Sequence, residues 1–83
     1  MKKGDKVKCI DDYFEDSNTN PFHIREINIP KENQNYTIRE VVRTDYGTGV
    51  RLVEVINKKY YFKNINREEE PIFGSNRFKS LKK

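Results

Sequence analysis

Apolar and polar residues alternate in short runs along this chain, and no window of a dozen residues repeats apolar side chains at i, i+3, i+4 and i+7. The pattern predicts a mostly β protein. In "DKVKCI" Val7 and Cys9 point one way and Lys6 and Lys8 the other, as in a half-buried antiparallel strand, with a turn at Gly4 before it. The run "YTIREVV" predicts a second strand with Tyr36 and Ile38 inward, Val42 able to join them, and Arg39 and Arg43 outward. Glu40 interrupts that alternation unless a bulge falls at Val41 and Val42. A turn through Asp45, Gly47 and Gly49 leads to a third strand, Val50 to Ile56, and "NK" at Asn57 and Lys58 reads as a two-residue hairpin turn into a fourth, Lys59 to Ile65. Glu68 to Glu70 read as a solvated charged loop. The ending "PIFGSNRFKSL" supplies a turn at Gly74 to Asn76 and a last strand whose core residues are Phe73, Phe78 and Leu81.

Between the first two strands the alternation lapses. Residues 13 to 34 form a long loop or insertion within one domain spanning residues 1 to 83, and loops of that length are often functional or disordered. Phe22, Ile24, Ile27 and Ile29 predict that it folds back over the rest, with one short helical turn or strand near "FHIREINI". Strand, long loop, three-strand meander, short turn and last strand is the plan of a five-stranded SH3-like barrel, in which closure hides the sheet edges. An OB-type barrel needs a helix where only "NK" stands.

Composition changes this picture little. Apolar residues make up 34% and charged residues 36% of the 83-residue chain, a balance that leans toward disorder, but ten aromatics and sixteen Val, Ile and Leu residues fall in clustered runs rather than being scattered. The single cysteine, Cys9, excludes an internal disulfide and reads as a small buried hydrophobe in a reducing compartment. No apolar run is long enough to span a bilayer, and "MKKGDKVK" is not followed by a signal-like apolar region. A soluble cytoplasmic protein, with no membrane partner, is expected. The net charge of +4 is unevenly spread: residues 1–10 carry +3, residues 11–20 carry −4 and residues 77–83 carry +4.

Taken in order, "GDKVKCIDD", "YTIREVV", "GVRLVEVIN" and "EEEPIFGSNRFKSL" resemble a group of small phage and prophage proteins built on an SH3-like barrel. The resemblance covers residues 4 to 12, 36 to 57 and 70 to 81, and the chain departs from it in residues 13 to 34 and in "KKYYFKNINR". Most members have no assigned activity. The resemblance therefore implies an architecture and a mobile-element origin rather than a reaction.

Candidate chemistry points away from catalysis. The acids Asp11, Asp12, Glu15 and Asp16 match no calcium-loop spacing, His23 has no serine or cysteine placed as a nucleophile, and no Gly-rich loop leads into a helix to hold phosphate. No catalytic residue, metal or cofactor is assigned. Lys58, Lys59, Lys63, Arg77 and Lys79 around Tyr60, with Tyr61 or Phe62 stacking on bases, would suit RNA or single-stranded DNA. Against this, Tyr60 or Tyr61 together with Phe62 is expected in the core, and Glu68 to Glu70 would repel a phosphate backbone. Protein binding ranks first. Tyr13, Phe14, Phe22, His23 and Tyr46 sit in predicted loops where bulky side chains are poorly explained by a core. The mobile-element origin then implies a monomer or weak dimer that binds a host protein or protein–RNA complex as a counter-defence inhibitor of a nuclease.

Overall fold

The first strand, β1 (Lys6–Cys9), follows its alternation: Val7 and Cys9 are fully buried while Lys6 is exposed. In this computed structural model, residues 1–14, 21–45, 47–63 and 65–81 are described. Six further strands follow among them: β2 (Asn35–Thr44), β3 (Gly47–Leu52), β4 (Tyr60–Phe62), β5 (Arg67–Glu69), β6 (Phe73–Gly74) and β7 (Phe78–Ser80). The protein is mainly β, with a five-stranded antiparallel sheet in the order β6-β3-β2-β1-β7 and a separate β4–β5 hairpin. Inside the sheet lie Val7, Cys9, Tyr36, Ile38, Val50, Leu52, Val55, Phe73 and Phe78, with Phe14, Ile27, Ile29 and Val41 packed against them.

The bulge in β2 lies earlier than the sequence predicts. Ile38 pairs with Leu52 and Glu40 with Arg51, which leaves Arg39, not Val41 and Val42, as the extra residue. Its Nε donates to the Leu52 carbonyl at 3.0 Å, occupying an acceptor where the ladder is disturbed. Beyond the bulge the ladder runs to Thr44 opposite Gly47, and Gly47 takes a φ of +134°, open to glycine but strained for other residues.

β3 stops at Leu52 instead of continuing to Ile56, and the predicted β3–β4 hairpin does not form. Glu54 explains the stop: its carboxylate accepts from the Thr37 N–H at 2.8 Å and the Thr37 hydroxyl at 2.9 Å, taking a ladder donor that a strand carbonyl would have used. Asn57, read as a turn residue, is a staple. It accepts from the Asn28 N–H at 2.7 Å, donates to the Asn28 carbonyl at 2.8 Å, and its own N–H donates to Glu70 at 3.0 Å. β4 therefore pairs with β5, matching Tyr60 with Glu69, Tyr61 with Glu68 and Phe62 with Arg67, and β6 takes the place beside β3. The "EEE" run is correspondingly half strand and half ion-pair network rather than a solvated loop.

Residues 70–72 then cross the outer side of β3. A side chain at Gly49 would meet Ile72 Cδ1 at 2.5 Å, so glycine permits the crossing. The chain next runs from β6 to β7 through a one-turn 3₁₀ helix, Ser75–Arg77, where the sequence predicts a turn. Phe78 enters the core as expected. Leu81 does not: alternation from Phe78 turns it outward, and it is 39% exposed while its N–H pairs with the Lys6 carbonyl at 2.9 Å.

Those last two strands occupy opposite edges of the sheet. Four residue steps from Gly74 to Phe78 reach at most about 14 Å, whereas the edges of a flat five-stranded sheet stand roughly 19 Å apart. The sheet must therefore coil. Its edges nevertheless do not pair with each other, and the described residues form no closed barrel.

Candidate partner-binding groove

Coiling of the sheet, the long loop after β1 and the β4–β5 hairpin together enclose a groove of about 1030 Å³. The loop supplies Tyr13, Phe14, Phe22, Ile24 and Ile27; the end of the β2–β3 hairpin supplies Val42, Arg43, Thr44 and Asp45; and the second hairpin supplies Phe62, Ile65 and Arg67.

The loop is held by specific contacts. Phe14 meets Phe73 edge-on with ring centroids 5.5 Å apart, which ties it to the core. The Arg77 guanidinium lies 4.7 Å from the Phe14 centroid, pairs with Asp11 at 3.0 Å and donates to the Tyr13 carbonyl. At the far end of the loop Pro30 is buried, and the Tyr36 hydroxyl accepts from the Lys31 N–H at 2.8 Å. A 3₁₀ turn at Ile24–Glu26 matches the expected short helical turn.

Charged residues line the groove where the outer side of β3 meets the crossing strap. Arg51, 7% exposed, donates to Glu40 at 2.6 Å, to the Glu70 carbonyl at 2.6 and 3.1 Å, and more loosely to Glu69 at 3.4 Å. Arg39 pairs with Glu70 at 2.6 Å. Burial alone would raise the Glu70 pKa, but the Arg39 hydrogen bond, the Asn57 N–H and the charges of Arg39 and Arg51 outweigh it and hold the carboxyl below its ordinary value. Glu54 is also lowered: desolvation opposes the change, and the two Thr37 donors, its own N–H and Lys6 overcome it. Cys9 moves the other way: burial raises its pKa, and this outweighs the lowering by the Asp11 backbone.

Of the five residues singled out for partner binding, Tyr13, Phe14 and Phe22 line the groove. Tyr13 is 66% exposed on the rim, Phe14 is half-buried, and Phe22 is enclosed by Tyr60 and Phe62 with centroids 5.0 and 6.1 Å away. His23 is exposed but outside the lining, its N–H donating to Glu26 at 2.7 Å. Tyr46 lies outside the described residues, as do Glu15 and Asp16.

The nucleic-acid candidates do not share one face. Lys58 sits 5.0 Å over the Tyr60 ring beside a smaller pocket of about 400 Å³, Arg77 is committed to the loop, and Lys79 is on β7. Lys59 and Lys63 flank β4 and are exposed. Tyr60 and Phe62 are half-buried and Tyr61 is exposed, so the expected core position is not taken; with Phe22 they build a satellite cluster. Glu68 and Glu69 stand directly across from Tyr61 and Tyr60.

Ile65, Arg67, Arg43 and Arg51 were not foreseen as lining residues. The available signal for Arg51 was the facing pattern of bases in "TIRE" and "VRLVE" and acids in "REEEP". Among the described residues, no group of His, Cys, Asp and Glu could hold a metal ion and no helix is long and apolar enough to cross a membrane. No protein family, curated protein or solved structure matches the chain.

Proposed function

We propose that this chain is an SH3-like, non-enzymatic binding module whose groove receives a protein segment from a host partner. The observation that carries this reading is the groove itself, with exposed Tyr13 and Ile65 on a rim interspersed with Arg43, Asp45 and Arg67. Apolar anchors among charges of both signs suit a specific protein surface better than a small metabolite. The strand order, with a one-turn helix carrying the chain between the two sheet edges, supports the SH3-like assignment. Together with the resemblance to phage and prophage barrels, this gives the fuller reading: an accessory protein of a mobile element that binds a host protein or ribonucleoprotein in the cytoplasm and inhibits a defence nuclease.

Immobilised protein incubated with host lysate, with and without added nuclease, tests the reading. Wild-type protein should retain a partner whose cleavage activity it inhibits, and Tyr13→Ala with Ile65→Asp should release it while remaining folded. Equal retention by the variant would place the contact elsewhere, and a retained partner whose cleavage is unaffected would remove the inhibitor role.

A further inference from the structure

The outer face of β1 and β7 carries a charge arrangement that the groove does not use. Lys8 and Lys79 stand directly opposite each other in the antiparallel ladder. Side chains so placed share one face, with Cβ atoms about 5 Å apart, and like charges there destabilise the pair. None of the ion pairs among the described residues engages either lysine. Two residues along β1 on the same face is Lys6, which donates to the Thr37 hydroxyl at 2.7 Å. Glu54, the carboxylate beside it, is itself held by Thr37.

We infer that this face is a phosphate-backbone site for nucleic acid, with Lys8 and Lys79 clamping one phosphodiester and Lys6 reaching the next. Same-face residues on a strand are about 7 Å apart, a spacing that lets lysines follow successive phosphates of an extended strand. On the β2 side the neighbouring outer positions are Asn35, opposite Lys8, and Thr37, opposite Lys6, both polar; exposed Leu81, beside Lys6, and exposed Ile10, beyond Lys8, stand at the two ends of the lysine row. A protein partner would need an apolar centre to its contact, but here the apolar side chains are at the margins and the centre is the Lys8–Lys79 pair; a polyanion binds such a centre through charge and the release of its counterions. The face is independent of Tyr13 and Ile65, so the groove and the clamp stand or fall separately.

Fluorescence anisotropy with labelled oligo-uridine RNA and oligo-thymidine DNA tests the site between about 50 and 200 mM salt. Binding of either oligonucleotide is expected at the lower salt. With two to three phosphates neutralised, the log–log salt slope should be about −1.4 to −2. Lys8→Glu with Lys79→Glu should weaken binding at least about tenfold, and Lys58→Glu with Lys59→Glu on the hairpin should leave it unchanged. Lys79→Glu alone creates an opposite-charge pair across the ladder, so it should weaken binding while melting at or above the wild-type temperature, which separates lost contact from lost fold. No binding to either oligonucleotide at low salt, undiminished binding by the double variant, or loss on changing the hairpin lysines would each overturn the inference.

Discussion

Arg51 stands between Val50 and Leu52, two fully buried residues, and would be expected to face water. Instead the strap through Glu70 covers it, and its guanidinium satisfies one backbone carbonyl and two carboxylates. Arg51→Met keeps much of the packing but strands those acceptors. Because Glu40 is half exposed and can turn to solvent, the cost should be about 2 kcal/mol, below the range for a fully enclosed pair, measured as a lower urea midpoint at unchanged slope. Glu70 makes the same network pH-dependent. Its carboxyl is lowered in the folded chain, so its contribution is present above the unfolded value of about 4.3 and is lost as pH falls through the folded value. Melting temperatures from pH 6 down to pH 3 should therefore fall less steeply for Glu70→Gln than for wild type, although the variant starts lower. Cys9, buried and raised, should react with a thiol reagent at pH 8 only as fast as the protein opens; rapid labelling without denaturant would contradict its place in the core.

At the scale of elements, β7 is more than an ending. Phe78 completes the core, the strand covers one side of β1, and Arg77 just before it holds the long loop through Asp11 and Phe14. Deleting residues 77 to 83 should abolish the cooperative melting transition, and a truncated chain with an unchanged transition would show that β1 needs no cover on that side. Much of the core was legible from sequence: Val7 and Cys9, Tyr36 and Ile38, and Phe73 and Phe78 are all buried as expected. What escaped were decisions made by side chains of distant segments. Glu54 ends β3 by taking a Thr37 donor, and Asn57 binds Asn28 instead of turning a hairpin. A local window of sequence contains one partner of each such bond and cannot reveal the other. The groove was legible to a similar degree: Tyr13, Phe14 and Phe22 stood out as bulky loop residues, while Ile65 and Arg67 depended on a hairpin that was paired differently in the sequence reading.

For the molecule as a whole, the sheet and the β4–β5 hairpin are separable. Among the described residues no ladder joins them, so replacing residues 58–68 by a Gly/Ser linker of equal length should preserve hydrogen-exchange protection in β1, β2 and β3 while removing one wall of the groove. The sheet itself has a different dependence. β1 pairs with β2 on one side and with β7 on the other, matching Val7 to both Tyr36 and Ser80. β1 therefore stays beside an empty position until β7, far along the chain, docks against it. The closing step joins distant parts of the chain against their loop entropy, which places refolding in the millisecond-to-second range and makes β1–β7 docking the slow event of sheet assembly.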